Sequence, residues 1–364
     1  MNKKKLKKKH TYRWKGRGAG ALLLALGLVV SLSGCSEEKK EAIPQPSDMV
    51  TVGFSQIGAE SDWRLASTAS MQSAFNESTG YKLMMDDGQQ KQENQLKALR
   101  KFIDSGVDYI VLDPITETGW DATLLEAAEA DIPVLIVDRR VSVEDDAIYS
   151  AWIGSDFRLE GDRACSWLEE YLKTIEYEGE VNIVHLQGTI GSSAQIGRTE
   201  ALQDKAEECG WNILASEDAA FVQAKGKEVM EKMLDEFGDS IGVVYCENDS
   251  EALGAIEALK EHGMTPGKNI QNGDVLVVSF DATKEGLEKT LTGEIIVDTE
   301  CNPNYGASVI RLINDLKNGE PVEHDNYMEE SQFSTVLAIS EVYVNKKPYE
   351  VTHLTRSMME SRSY

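Results

Sequence analysis

From residue 50 almost to the end of the chain, short apolar runs rich in β-branched residues alternate with longer amphipathic stretches. That rhythm leaves few folds open, because a strand reaches a parallel neighbour only through a crossover that is usually a helix. Val50-Thr51-Val52-Gly53-Phe54 reads as the first strand, and 62–79 as a helix ended by Gly80. A second strand follows at 81–85. A helix at 91–105 then stops at Gly106, with Leu96, Leu99, Phe102 and Ile103 at helical spacing. The runs 109–112 and 133–137 are almost continuously apolar, as expected of strands covered on both faces. The rhythm restarts with strands at 181–186, 211–215, 242–246, 275–280 and 294–297 and helices at 194–209, 225–237, 250–262 and 305–317. So many strand–helix pairs predict an α/β fold of two doubly wound units, not one oversized sheet.

In doubly wound sheets the ligand crevice lies beyond the carboxyl ends of the strands. Those ends are polar in nearly every case here: Ser55 and Gln56, Asp86 and Asp87, Asp113, Asp138 and Arg139, Gln187, Glu247 to Asp249, Asp281, and Asp298 to Asn302. An isolated aspartate after a strand is ordinarily a turn or cap residue. Repetition at both sets of strand ends points instead to a cleft lined by carboxylates, amides and guanidinium groups, suited to a neutral polyhydroxylated molecule.

The remaining features bound location and chemistry. Nine of the 37 lysines and arginines lie in the first 17 residues, ahead of a charge-free apolar run at 19–32. The run is shorter than the roughly 20 residues of a membrane span and fits a signal peptide. It ends in Leu32-Ser33-Gly34-Cys35, which resembles the lipobox of bacterial lipoproteins. The resemblance implies cleavage after residue 34 and acylation of Cys35. Residues 35–48, polar and with two prolines, then read as a tether. Removing nine of 37 basic residues leaves 28 against 62 acidic ones, a net −34, which disfavours nucleic acid as a partner. Cys165, Cys209, Cys246 and Cys301 show no CxxC spacing, so single buried thiols are expected, and no metal site. The five histidines show no HExxH, there is no GxSxG elbow, and Gly188-Thr189-Ile190-Gly191 lacks the lysine of a phosphate loop. Neither catalysis nor a cofactor is expected.

From Val50 to about Phe333 the sequence resembles the periplasmic ribose/galactose-type sugar-binding proteins of ABC importers. The segments that carry the resemblance are Val52-Gly53-Phe54-Ser55-Gln56 with Asp62-Trp63-Arg64, Val137-Asp138-Arg139, Gly188-Thr189, Lys225 to Met230, Asn248-Asp249 and Phe280-Asp281. Asp87 to Gln95 and Thr118-Gly119-Trp120 are similar to the galactofuranose-binding branch in particular. The resemblance implies a type I binding protein. Its first lobe would be 49–154 plus 302–327 and its second 155–301 plus 328–364, with three hinge crossings near Ser155, Asn302 and Met328. It implies that Asp138 and Arg139 read adjacent hydroxyls and that Arg198, Asn248 and Asp281 bind from the second lobe. Trp63 and Phe221 would cover the sugar's C–H faces, beside Arg64, with Gln56 and Asp113 completing the set. Cys301 stands where relatives carry a polar hydrogen bonder, with Glu300 and Asn302 as alternatives. The implied role is a lipid-anchored monomer on a Gram-positive surface that hands a galactofuranose-, galactose- or ribose-like sugar to an importer permease. Presentation of the sugar to a receptor kinase and glycoside processing are the alternative roles.

Overall fold

The computed structural model describes residues 49–364. The signal peptide, the tether and Cys35 therefore lie outside the described residues. The fold is α/β, with two mostly parallel sheets, each flanked by helices.

The first half runs β1 (Val50–Gln56), α1 (Asp62–Ala74), β2 (Tyr81–Asp87), α2 (Gln92–Ser105), β3 (Tyr109–Leu112), α3 (Asp121–Glu129), β4 (Val134–Val137) and β5 (Ala151–Gly154). The second runs α4 (Phe157–Thr174), β6 (Asn182–Gln187), α5 (Ser193–Cys209), β7 (Asn212–Asp218), α6 (Gln223–Phe237), β8 (Val243–Cys246), α7 (Asp249–Glu261), β9 (Leu276–Asp281), α8 (Lys284–Thr292) and β10 (Val297–Glu300). The chain then returns to the first sheet through α9 (Gly306–Asn318) and β11 (Asp325–Tyr327), and ends in the second. That last part comprises β12 (Gln332–Ser334), the hairpin β13 (Glu341–Val344) and β14 (Lys347–Glu350), β15 (Thr352–His353) and α10 (Arg356–Ser361). Strand order is β11-β5-β4-β3-β1-β2 in one sheet and β15-β12-β10-β9-β8-β6-β7 in the other. Every pairing in these two sheets is parallel except that of β10 with β12.

The apolar runs do form the central strands: β3, β4, β8 and β9 are buried along their whole length. Three departures from the sequence expectation have local causes. The first helix ends at Ala74, because Asn76 starts a separate 3₁₀ turn with its own capping box. The strand expected at 294–297 is assigned as Val297–Glu300. Its buried Asp298 accepts from the Ala282 N–H through Oδ1 and its buried Thr299 from Gln332 Nε2, a pattern that hydrophobic periodicity does not register. Helix α4 went unexpected because its buried face carries Glu160 and Arg163 among apolar residues.

Between the two sheets the chain passes three times, at 154–157, 300–306 and 327–332. The two halves touch beyond these passages. The Glu117 N–H donates to Gly191 O at 3.0 Å, and the Arg140 N–H donates to Ser193 Oγ at 2.8 Å. The lobes are thus closed on each other, with strand ends and helix N-termini of both facing a common space.

Candidate functional site

A small, tightly closed cavity lies between the lobes. Four helix N-termini converge on it. Trp63 and Arg64 come from the first turn of α1, which Ser61 caps by accepting from the Arg64 N–H. Phe157 opens α4, Ala194 lies in the first turn of α5, and Asn248 caps α7. Strand ends supply the rest: Asp138 and Arg139 after β4, Phe221 after β7, Asp281 at the end of β9, and Cys301 after β10.

Three of these residues hold left-handed backbone: Asp138 at φ 58°, Phe221 at φ 63° and Asp281 at φ 102°. Non-glycine residues adopt it at a cost, and bulky ones such as phenylalanine seldom do. The sharp reversal turns each side chain from its strand into the space between the lobes.

Two buried charge webs form the walls. In the first lobe Arg64 pairs with Asp113, with Asp138 at 3.0 Å and with Glu60 at 2.8 Å. Burial alone would lower its pKa, but these carboxylates hold the guanidinium well above its ordinary value. Burial pushes the Asp113 carboxyl well up, against the pull of Arg64. Arg139 donates to Ile115 O at 2.8 Å, and its guanidinium lies 5.1 Å from the Phe221 ring of the other lobe. In the second lobe Arg198 contacts Glu160 through Nε at 2.9 Å and Nη2 at 2.7 Å, and Asp281 lies 3.7 Å away. It also donates to Glu247 O. Burial, only partly offset by Arg198, pushes the Asp281 carboxyl well above its usual range.

Of the residues expected from sequence, Trp63, Arg64, Asp138, Arg139, Arg198, Phe221, Asn248, Asp281 and Cys301 all line this one cavity. Gln56 does not reach it: the amide donates to Ser67 and Thr68 and accepts from the Ile57 N–H, tying β1 to α1. Asp113 stands behind Arg64 and orients it. Of the three candidates after β10, Cys301 is on the wall. Glu300 is held by Arg362 and Tyr364, and the Asn302 side chain accepts from the Asn304 N–H. Sequence reading missed Glu60, Ser61, Phe157 and Ala194. The four described cysteines are free. Glu160, Cys301 and Glu330 bring donor atoms within 4.8 Å of one another. That set suits protons better than a cation, because Arg198 already occupies Glu160 and burial pushes the Cys301 thiol well above its ordinary value.

Residues 52–321 match the periplasmic binding protein domain. The chain belongs to the periplasmic binding protein family. It is 40% identical over 272 residues to the galactofuranose-binding protein YtfQ of Escherichia coli, covering 74% of this chain and 82% of that one. A Mycobacterium smegmatis protein solved in complex with β-D-fucofuranose superposes with a TM-score of 0.74 at 37% identity, covering 79% of this chain and 92% of that one. The binding component of the Shewanella arabinose ABC transporter, bound to L-arabinofuranose, gives a TM-score of 0.72 at 37% identity, covering 79% and 94%. These relatives are solute-binding proteins, not enzymes. The interlobe cavity of this family member sits at the carboxyl ends of both sheets, where doubly wound folds hold their ligands.

Proposed function

We propose that this periplasmic binding protein captures a monosaccharide in its furanose form, galactofuranose or a close analogue, and delivers it to an ABC importer. One observation carries the reading. Asp138, Arg139, Arg198, Asn248 and Asp281 converge on a single small cavity whose aromatic walls are Trp63, Phe157 and Phe221. Carboxylates accept from sugar hydroxyls, guanidinium forks donate to them, and the rings cover C–H faces. The furanose preference rests on the ligands named for the relatives above. Capture works by closure of the lobes 49–154 plus 302–327 and 155–301 plus 328–364 about the three crossings, which seals the hydrogen bonds from competing water. Calorimetry with methyl β-D-galactofuranoside, L-arabinose, D-ribose and methyl β-D-galactopyranoside tests it. Tightest binding by the pyranoside, or none by any sugar, would overturn the furanose assignment.

The same reading places the protein on the outer face of the membrane through acylated Cys35, on a Gram-positive surface. The support is the basic leader, the apolar run and Leu32-Ser33-Gly34-Cys35. No helix among the described residues is long and apolar enough to cross a membrane. Cys35→Ser should release the protein into the medium with sugar binding unchanged. Continued membrane retention of that variant would refute the anchor.

A further inference from the structure

One carboxylate touches all three crossings between the lobes. Glu330, in the third, accepts from Ser155 Oγ in the first and from the Asn302 backbone N–H in the second, the latter at 2.9 Å. Its inner face meets Glu160, which is 2% exposed and sits in the first turn of α4. Glu160 gives one oxygen, Oε2, to Arg198; its other oxygen, Oε1, is buried without a partner. One carboxylate oxygen of Glu160 and one of Glu330 lie within 4.8 Å of each other.

Ionised carboxylates only accept hydrogen bonds, so Glu160, buried, and Glu330, partly buried beside it, repel each other and leave Glu160 Oε1 unmet. A single proton resolves both defects, because a protonated acid donates. The surrounding cations do not substitute for it. Arg198 is engaged by Glu160 with Asp281 beyond, and Arg362 is engaged by Glu300. Arg163 reaches only the backbone oxygen of Glu330, at 3.3 Å. Glu300, Asp138 and the Cys301 thiol, the other titratable groups facing the pair, are acidic. Among the described residues no lysine or arginine lies within ion-pair distance of the Glu330 carboxylate. Burial, together with the neighbouring Glu160 charge, pushes the Glu330 carboxyl well above its ordinary value. Burial also raises that of Glu160 against the pull of Arg198.

We propose that Glu160 and Glu330 share one proton when the lobes are closed and lose it when they open, so that sugar capture takes up a proton. This rests on the closure reading of function given above. Opening carries Asn302 away with the first lobe, which removes one donor from Glu330, and uncovers the cavity wall at Cys301 beside the pair. Water then reaches both carboxylates, which ionise near the ordinary glutamate value of about 4.3. The sign follows: the closed form binds the extra proton, so closure is favoured as pH falls. The gain begins as pH drops through the raised value of the pair and is complete near the ordinary value.

The tests separate this device from the sugar assignment. Calorimetry of methyl β-D-galactofuranoside binding at pH 7, in two buffers of different ionisation enthalpy, should show uptake of about one proton per sugar. Affinity should rise as pH is lowered from 8 to 6, by at most about tenfold per unit. Glu330→Gln keeps an oxygen for Ser155 and Asn302 and presents an amide N–H to Glu160, imitating the protonated pair. E330Q should therefore bind at pH 8 at least as tightly as the wild type does at pH 6, with no proton uptake and a flat profile. The linkage also acts without sugar. Small-angle scattering of the ligand-free protein should show a smaller radius of gyration at pH 5.5 than at pH 8 in the wild type and not in E330Q. Absence of binding by the galactofuranoside would refute the sugar reading and leave the scattering to decide the proton pair. Sugar binding without proton uptake, or a radius that does not change with pH, would overturn the shared proton whatever the ligand.

Discussion

Asp138 offers the sharpest test of the site, because two substitutions separate its chemistry from its backbone. Its carboxylate is 4% exposed and meets Arg64 at 3.0 Å while facing the cavity. A diol on the sugar would donate to both oxygens, and a hydrogen bond to a charged group contributes about 1.5–3 kcal/mol. Asp138→Asn keeps one acceptor and turns the other position into a donor. It should weaken sugar binding by about 1.5–3 kcal/mol, which is roughly 10- to 150-fold in Kd. Asp138→Ala removes both acceptors, and the loss should reach about 3–6 kcal/mol, or roughly 10²- to 10⁴-fold. Stability should behave differently. The first-lobe web sets the carboxylates of Glu60, Asp113 and Asp138 against the guanidinium groups of Arg64 and Arg139, so losing one negative charge leaves two against two. Asn tolerates φ 58°, whereas Ala in that region costs roughly 1–2 kcal/mol. D138N should thus unfold in urea close to the wild type, and D138A about 1–2 kcal/mol earlier. Titration calorimetry and urea denaturation measure the two effects separately. Unchanged affinity in D138N and D138A would remove Asp138 from the site and refute the diol reading.

Gly188→Ala tests the aromatic wall from behind. A Cβ at residue 188 would lie 1.9 Å from Phe221 Cζ, so the ring must move, and a loss of sugar affinity beyond tenfold is expected by calorimetry. Arg198→Lys exchanges a fork that grips Glu160 through Nε at 2.9 Å and Nη2 at 2.7 Å for a point charge. Affinity should fall by about 1.5–3 kcal/mol, and equal binding by R198K would show that the fork is dispensable. Among the four described cysteines, Cys165, Cys246 and Cys301 are buried and Cys209 is half-buried. A native protein beginning at Met49 and saturated with sugar should therefore show one fast thiol toward a disulfide reagent, lost in Cys209→Ser. Fast labelling of Cys301 in that closed form would contradict its burial against Ser155, whose Oγ lies 3.3 Å from the thiol.

Much of this site could be read from the sequence because ligand groups in a doubly wound fold sit where apolar runs stop. Asp138-Arg139 after Val134–Val137, Asn248 after Val243–Cys246 and Asp281 closing Leu276–Asp281 are polar residues that interrupt buried strands. What escaped was set by contacts distant in sequence. Gln56 obeys the same strand-end rule, yet its amide turns back to Ser67 and Thr68, a choice that depends on how α1 lies across β1. Glu60 looks like an ordinary loop acid until Arg64, one helical turn later, draws it onto the wall at 2.8 Å. Glu330 gives less signal still. Beside Glu329, in a polar stretch, it reads as solvated, and only the meeting of three crossings turns it inward.

The backbone explains why the same positions recur as both cavity-lining groups and local anomalies. A strand directs alternate side chains to its two faces, and both faces of these central strands are packed under helices. A side chain leaves that pattern and points along the strand axis toward a partner lobe only if the chain breaks conformation at the strand end. Asp138, Phe221 and Asp281 do this at φ 58°, 63° and 102°, and Ala220 and Ala282 beside the last two share it at 56° and 53°. Glycine would occupy such backbone without strain but would bring no carboxylate or ring to the cavity. Aspartate is among the residues that tolerate it best, which suits the two acidic positions; phenylalanine is not, so the cost at residue 221 needs a return. The ring's place 5.1 Å from the Arg139 guanidinium of the opposite lobe supplies one, because that contact exists only when the lobes are closed. The backbone cost at Phe221 is present in either form, but its compensation is not. Part of the stability of the closed form therefore comes from a ring on the cavity wall, and removing that ring should weaken closure.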